Sequence, residues 1–447
     1  MPEDVPRESL AQRWRWWQIR RAIAGPSVWG VPVTLFFTFV LLAILTPWID
    51  DRLSRIFDPY PSVNGGSIST VVSIIAGAMI TLSGLTFTAI ASVMSDGVSN
   101  LSVRIVPMLQ QDRVLRWSLG VFTATFGYCL ITAVSIALGE DSYQPVLATF
   151  VVTALAVVAG CCFIALVVRV THHINPATVL KSVAKAGHEG LVGDVANYRR
   201  AAPQMRERRG TPHHTDGESA TITVAGDQRS GLQLLAVNTG RLLQFERDWG
   251  AQITLLVQVG TAVPEHLPIL EVTGAELTSD RRKAALGALA FGESSSPHSG
   301  PVGAIRSIVD IALKALSPAV NDPTRAAQAI DRLEDLLVVV SRHTVAVGES
   351  SLAAGWGRDW EDYVSLATDE IRQFGTTSVQ IQRRLRAMFV VLLELLPEHQ
   401  HPPLQRRLAD LERGVDRWWH SPLDQALAAA ADPQGLGTTA PRSTNAG

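Results

Sequence analysis

The chain is poor in cysteine and in charged residues, and each shortage excludes a class of protein. Its three cysteines, Cys129, Cys161 and Cys162, all lie within apolar runs of the 447-residue sequence. They form no Cys-x-x-Cys pair, so neither a disulfide framework nor a zinc motif is indicated. Charged residues make up 18% of the chain and the net charge is −2, so the chain as a whole has no basic excess for nucleic acid.

Charge is missing altogether from four long stretches. Each is free of Asp, Glu, Lys and Arg. At about 1.5 Å per helical residue, each is long enough to cross a hydrocarbon core of roughly 30 Å. A single water-soluble core that buried all of them would need a far larger domain around it. We therefore predict a transmembrane domain over 29–170, with spans at 29–49, 68–94, 117–139 and 145–168.

The distribution of arginine around these spans predicts their orientation. The first 28 residues carry five arginines, whereas the short loop at 140–144 carries no Lys or Arg. By the positive-inside rule both termini lie in the cytoplasm, and we expect a multi-pass protein of the bacterial plasma membrane. Residues 1–28 are expected to form a basic-aromatic tail at the lipid interface, because RWRWWQIRR (13–21) combines Trp with Arg. A cleaved signal peptide fits less well, because no small-residue cleavage pattern follows.

The second predicted span carries a stripe of small and hydroxyl side chains. They recur at intervals of four or three residues and share one helix face: Ser73, Gly77, Thr81, Gly84 and Thr88. Such a face lets helices approach closely, and Gly120, Gly127 and Gly160 in later spans also favour packing. The alternative is the wall of a pore, although no acidic or basic residue lies within any predicted span. Packing is the preferred interpretation.

The carboxyl-terminal half has the composition of a water-soluble α+β domain. Residues 171–200 are expected to form a connecting helix, and four short β-like runs predict a small β-rich module at 220–275. A helical bundle is predicted for 280–432 and a disordered tail for 433–447. The predicted fold class is an α-helical membrane protein, in which four transmembrane helices are followed by a cytoplasmic α+β domain.

The sharpest local pattern is a helix–turn–helix around DIALKALSPAVNDP (310–323). Pro318 disfavours helical geometry in the preceding residue, so the first helix is expected to end at Ser317. Asp322 is then the N-cap of a second helix, which has Pro323 at its first position.

Both helices of this pattern have a distinct face. Arg306, Asp310 and Lys314 are four residues apart on the first helix, where a solvated ion-pair ladder explains them as well as a ligand site does. The second helix has an apolar seam that predicts packing against the first helix or a partner: Ala326, Ile330, Leu333, Leu337 and Val340.

Three segments carry a resemblance to known proteins: 103–130 (VRIVPMLQQDRVLRWSLGVFTATFGYCL), 310–323 and 360–375 (WEDYVSLATDEIRQFG). They resemble a bacterial family of uncharacterised membrane proteins known as domain of unknown function 2254, and the likeness covers residues 25 to 420. The resemblance implies a four-span amino half and a cytoplasmic carboxyl half, without a particular activity. Its signature turn comprises Asp310, Lys314, Ser317, Pro318, Asn321, Asp322 and Pro323.

Three classes of function compete. An enzyme is disfavoured, because the chain has no Walker-type loop and no HExxH, GxSxG or CxxC motif; no cofactor or metal is expected. A structural or regulatory membrane protein, whose cytoplasmic domain binds a protein partner, is the preferred interpretation. The alternative is an oligomeric ion channel or small-solute pathway lined by the second span. We expect the lipid bilayer as a partner, a homo-oligomer, and no nucleic acid.

Overall fold

The chain divides into a membrane unit, residues 25–98 and 109–175, and a carboxyl-terminal unit, residues 1–24, 99–108 and 176–447. The predicted loop between the second and third spans is therefore split, because 99–108 belongs to the carboxyl-terminal unit. Of the predicted segment 1–28, only residue 16 is described; predictions for its other residues, for 191–200 and for 437–447 lie outside the described residues. The computed structural model describes residues 16, 29–54, 65–110, 112–138, 145–190, 219–224, 229, 231–293, 297, 300–347 and 359–436.

Four long apolar helices form the membrane unit: α1 (Gly30–Ser54), α2 (Gly65–Asp96), α3 (Arg113–Leu138) and α4 (Val146–Ile174). Each is long and apolar enough to cross a membrane. Large apolar side chains cover their outer surfaces, and Phe150 is 71% exposed. Lipid tails solvate such a surface, whereas water does not. The predicted fold class is confirmed: four long apolar helices precede a domain of strands and helices.

Close packing within the membrane unit occurs where α3 meets α1. A Cβ atom built on Gly120 would lie 2.7 Å from Cδ1 of Leu35, and one on Gly127 would lie 2.7 Å from Cε2 of Phe36. The absence of a side chain at these two positions therefore lets α1 approach, as the sequence predicts. Gly160 differs, because no described atom lies within 4 Å of a Cβ built there.

Two aspartates bind the ends of helices in the membrane unit. Pro145 precedes α4 without a side-chain cap, and Asp50 of α1 accepts the Leu147 N–H instead, at 2.9 Å. Asp50 is 2% exposed, and α1 continues through it to Ser54. The candidate span Gly30–Leu53 extends beyond the predicted 29–49 and therefore includes Asp50.

The second aspartate, Asp112, joins α3 to α4. Its Oδ1 accepts the Val114 N–H at 2.8 Å, which caps the start of α3. Its Oδ2 accepts a bond from Nε of Arg169, 2.5 Å away on α4. The carboxylate is thus both a helix cap and the partner of a cation. The charge also suits its position, because the amino end of a helix favours an anion.

The carboxyl-terminal unit contains α5 (176–190) and then a module of two small sheets. Its core buries apolar side chains such as Ile222, Leu234 and Val272. Strand β4 pairs antiparallel with β1 and β3, and β2 pairs antiparallel with β5. The elements are β1 (Ser219–Ile222), β2 (Gln233–Val237), α6 (Thr239–Trp249), β3 (Gln252–Leu255), β4 (Leu270–Thr273), α7 (Ser279–Gly287) and β5 (Leu289–Gly292).

Six α-helices follow in the part of the chain that the structure describes: α8 (Pro301–Leu316), α9 (Pro323–Val347), α10 (Trp360–Phe374), α11 (Val379–Leu395), α12 (His401–Trp418) and α13 (Pro422–Ala429). The apolar seam predicted on α9 is buried, and Ile330, Leu333 and Leu337 have no exposed surface. On α8, the face that carries Ile305, Ile308 and Ala312 is buried as well. The two helices of the signature therefore lie at the centre of the helical core.

Two boundaries differ from prediction. Strand β5 lies within 280–432, where helix alone is predicted; its four residues, LAFG, are too few and too apolar to show a strand period. Residues 433–436, predicted to belong to a disordered tail, form a turn. The side chain of Asp432 accepts the N–H groups of Gln434 and Gly435, each at 3.1 Å.

The glycine contacts of α3 predict a difference between two alanine variants. We expect Gly127→Ala to lower the thermal midpoint of the full chain in detergent, because the new methyl group overlaps Phe36 at a cost of about 1–3 kcal/mol. Gly77→Ala is the control, since a Cβ atom at Gly77 enters open space. Equal midpoints for the two variants would contradict the packing of α3 on α1.

Candidate functional site

The polar residues of the signature turn satisfy the backbone between α8 and α9. Ser317 ends α8, and its Oγ donates to the Lys314 carbonyl at 2.7 Å. Asp322 caps α9, and its Oδ1 accepts the Arg325 N–H at 3.0 Å. Asn321 adopts a left-handed conformation with φ 47°, which Asn tolerates better than most residues. Ser317 and Asp322 thus have the turn and capping roles that the sequence predicts.

The remaining signature residues bound this turn or lie before it. Pro318 is exposed directly after the cap of α8, and Pro323 is the first residue of α9. Lys314 is exposed on α8. In the part of the chain that the structure describes, Asp310 pairs with arginines and not with Lys314. The predicted ladder on α8 is therefore limited to Arg306 and Asp310.

Asp310 accepts hydrogen bonds from two arginines and a serine. Its Oδ2 accepts from Nε of Arg104 at 2.9 Å and from Oγ of Ser102 at 3.3 Å. Its Oδ1 accepts from Nε of Arg306 at 2.8 Å. The side chains of Arg104, Asp310 and Arg306 are 21–29% exposed, so water only partly screens these charges. Asp310 is therefore the shared acceptor of a partly buried network.

Arg306 extends the network to α10. Its two terminal nitrogens donate to the two carboxylate oxygens of Glu370 at 2.6 and 2.9 Å. This bidentate geometry is the strong form of the arginine–carboxylate pair. The hydrogen bonds from Arg306 lower the pKa of Glu370 below its usual range, so Glu370 carries its charge at neutral pH. Arg306 consequently joins α8 to α10 through two carboxylates.

The network combines the three segments that carry the family resemblance. Arg104 comes from 103–130, Asp310 from the signature and Glu370 from 360–375. Arg104 also lies in the chain between α2 and α3, within a short 3₁₀ turn, Val103–Ile105. Two membrane-spanning helices therefore continue directly into a segment whose side chains bind α8. The sequence predicts each segment separately, and the fold brings the three together.

A second approach to α8 comes from α5, which follows α4 in the chain. A Cβ atom built on Gly187 would lie 2.5 Å from the Cβ of Ala304. One built on Gly190 would lie 3.0 Å from the Cα of Gly300, just before α8. The two helices thus touch almost backbone to backbone. Helix α8 therefore binds both a segment that precedes α3 and a helix that follows α4.

The chemistry of this site is the pairing of opposite charges. Its carboxylates accept bonds from guanidinium groups, an arrangement that holds helices together and differs from a nucleophile activated by a base. Among the described residues, no group of three or more His, Cys, Asp and Glu side chains could hold a metal ion. The site is therefore a set of ion pairs that holds together α8, α10 and the segment between α2 and α3. We term the network of Arg104, Asp310, Arg306 and Glu370 the joint.

The predicted stripe belongs to α2 of the membrane unit. All five of its residues are exposed: Ser73, Gly77, Thr81, Gly84 and Thr88. The hydroxyl groups of Thr81 and Thr88 donate to carbonyls of their own helix, each at 3.0 Å. Gly120 and Gly127 contact α1, so packing of the stripe on these glycines within one chain is not observed. The stripe is open to lipid or to a second copy.

Sequence reasoning missed the partners that complete these contacts. Glu370 lies inside a segment that the resemblance includes, but nothing in its spacing indicates a bond to Arg306. Asp50 directly follows the first uncharged run and Arg169 directly follows the fourth. Neither position indicates the contact of Asp50 with Leu147 or that of Arg169 with Asp112. The signal in the sequence for Asp50 is an acidic residue directly after an apolar run.

The fold and the joint define a class of protein: a membrane protein with four spans whose chain also forms a separate α+β unit. The chain belongs to the family of predicted membrane proteins DUF2254, whose model matches residues 26–390. The chain is similar to uncharacterized proteins of Mycobacterium bovis and Mycobacterium tuberculosis. Each is 24% identical over 384 residues, which cover 82% of this chain and 71% of the relative. No solved structure gives a significant match.

The network around Asp310 predicts an energetic coupling that a double-mutant cycle measures. We expect Arg104→Gln and Asp310→Asn each to destabilise the full chain, and their coupling energy to be about 1 kcal/mol in chemical denaturation. The control is the exposed pair Arg332–Asp335 on α9, at 3.6 Å, whose coupling should stay below about 0.5 kcal/mol. Additive effects of R104Q and D310N would mean that the pair does not stabilise the fold.

Proposed function

We propose that this protein is a regulatory membrane protein, in which helix α8 couples the membrane spans to a cytoplasmic interaction domain. The observation that carries the proposal is the network in which Asp310 binds Arg104, from the segment between α2 and α3, and also Arg306. A movement of either span end would act on α8 through that segment. Since α8 also binds α10 through Glu370, the effect would reach the surface of the helical core.

The contact of α5 with α8 supports the same proposal. At Gly187, α5 lies so close to Ala304 of α8 that no side chain fits between the two helices. A displacement of α5 must therefore displace α8 or break the contact. Helix α8 thus has two contacts through which the membrane spans could act on it: the ion pair with Arg104 and the packing against α5. The proposed location is the bacterial plasma membrane with both termini in the cytoplasm, which the excess of arginine in the amino-terminal tail supports.

Hydrogen exchange in lipid nanodiscs tests the coupling. The full chain is placed in short-chain and in long-chain lipids, which changes the hydrophobic match of the spans. We expect the exchange rates of α8 amides to differ by about threefold between the two lipids, because mismatch is worth fractions of a kcal/mol per Å. In R104Q/D310N this difference should disappear.

The control for this experiment is R332Q/D335N, which removes an exposed pair of the same charge types on α9. It should keep the wild-type response to lipid length. A wild-type chain whose α8 exchange is independent of lipid length, while α2 and α3 respond, would refute coupling. A response retained in R104Q/D310N would show that the joint at Asp310 does not carry it.

The second candidate function is an oligomeric channel or small-solute pathway lined by α2. The observation that favours it is the exposure of the entire stripe in a single chain, with open space beside Gly77 and Gly84. A ring of copies would bring this face toward a common axis. The self-bonded hydroxyl groups of Thr81 and Thr88 would then line the path.

Ion flux into liposomes reconstituted with pure protein tests the channel. If α2 lines a path, wild type conducts, and Thr81→Leu reduces the flux because a larger apolar side chain narrows and dries the path. The matched control is Thr153→Leu on α4, where an exposed hydroxyl is also bonded to its own helix. Wild-type flux no greater than that of empty vesicles would eliminate the channel.

A further inference from the structure

The β module carries an aromatic stack between two arginines. Phe245 and Trp249 of α6 stack with their ring centroids 4.8 Å apart and their planes 5° from parallel. The guanidinium carbon of Arg241 lies 5.5 Å from the Phe245 ring, and that of Arg281, from α7, lies 5.5 Å from the Trp249 ring. The four side chains form one surface, which we term the arginine–aromatic stack. Each is half-buried, so each remains accessible from solvent.

Among the described residues, the two arginines of the stack have no carboxylate partner, unlike several arginines of the helical core. In the helical core, Arg306, Arg384 and Arg407 each bind carboxylates at 2.6 to 2.7 Å. Within the described part of the chain, Arg241 and Arg281 form no ion pair with a carboxylate. Arg281 donates one bond to the carbonyl of Glu276, at 2.9 Å. The stack therefore presents positive charge that no carboxylate of the described residues neutralises.

The surroundings of the stack add further positive charge. Arg247 on α6 and Lys283 on α7 are exposed. The acidic neighbours on the same helices are Glu246, Asp248 and Asp280. Glu246 is 4% exposed, and its Oε1 accepts the Ile253 N–H, so it faces the sheet. Asp248 and Asp280 are exposed and offset Arg247 and Lys283. The positive excess on these helices therefore comes from the half-buried Arg241, Arg281 and Arg282.

The packing of the rings distinguishes between two kinds of anionic partner. A nucleic-acid base binds an aromatic side chain through a free ring face. Here Phe245 and Trp249 cover one another, and each ring also has a guanidinium group over it. What remains available is the N–H edge of each guanidinium and the edge of each ring. That combination suits phosphate groups at a membrane surface, where arginine binds phosphate and aromatic rings lie at headgroup depth.

We propose that the arginine–aromatic stack binds the headgroups of anionic phospholipids, as a membrane contact additional to the four spans. The β module is linked through the chain to the membrane spans. The effective concentration of lipid headgroups around it is therefore high, and a weak contact is sufficient. None of the four side chains of the stack takes part in the joint at Asp310. Its role is therefore independent of the proposed coupling, and either can fail without the other.

A photoactivatable lipid tests this contact on the full chain. The protein is placed in nanodiscs that contain phosphatidylglycerol or phosphatidylcholine with a reactive group near the headgroup, and labelled peptides are identified. We expect 239–249 and 279–287 to be labelled at least about fivefold more by the anionic lipid, since one cationic residue near a membrane contributes about that factor. In R241Q/R281Q this preference should be lost.

The matched control is R406Q/R413Q, which removes two exposed arginines from α12. It should keep the wild-type labelling of α6 and α7. A second test variant, R247Q, changes an exposed side chain outside the stack and should reduce labelling without affecting the fold. The thermal midpoint verifies that each variant is folded.

Three results would overturn the proposal. The first is equal labelling by the two lipids in wild type. The second is unchanged labelling in both R241Q/R281Q and R247Q. The third is labelling that single-stranded DNA abolishes while added phosphatidylglycerol does not, which would identify nucleic acid as the ligand.

Discussion

The carboxyl-terminal unit depends on one carboxylate that two cations share. Asp310 receives Arg104 from a segment between two spans and Arg306 from its own helix, and Arg306 in turn binds Glu370. A partly buried ion pair adds little to the net stability of a fold. Removal of one partner is costly, however, because the other charge is then left uncompensated. The position of α8 is therefore determined by electrostatic balance as well as by its buried apolar face.

The membrane unit uses its few charges in a comparable way. Asp50 and Asp112 each accept a backbone N–H at the start of a helix that has no other cap of its own. Where water is excluded, an unsatisfied N–H group costs several kcal/mol, so each acid stabilises the helix end that it contacts. The hydroxyl groups of Thr46 and Tyr128 share a further hydrogen bond of 3.0 Å between α1 and α3. Polar contacts thus connect helices whose surfaces are otherwise apolar.

Much of the architecture could be predicted because the relevant signals are local. Four uncharged runs predict the four spans, and SPAVNDP predicts where α8 ends and α9 begins, since proline and capping residues act on their neighbours. Strand β5 could not be predicted, because its four residues, LAFG, fit either a strand or a helix. The exposure of the stripe on α2 was also beyond prediction, since periodicity identifies a common face without indicating what it contacts.

The joint at Asp310 was the least predictable feature. Arg104, Asp310 and Glu370 each belong to a segment with a recognisable pattern. Their contacts are long-range, however, because Arg104 and Asp310 are 206 residues apart and Glu370 is 64 residues from its partner Arg306. Local spacing contains no information on such pairs. The arginine–aromatic stack was missed for a similar reason: Arg241, Phe245 and Trp249 are four residues apart on α6, but Arg281 arrives from another helix.

The place of residues 99–108 in the carboxyl-terminal unit has a consequence for biosynthesis. This decapeptide is translated before α3 and α4, but its binding partner on α8 is made 206 residues after Arg104. The unit is discontinuous in the gene, and no single cut in the chain separates it from the membrane helices. A fragment that starts at Pro176 would lack Arg104 and Ser102. The carboxyl-terminal unit can therefore be completed only after all four spans have been synthesised.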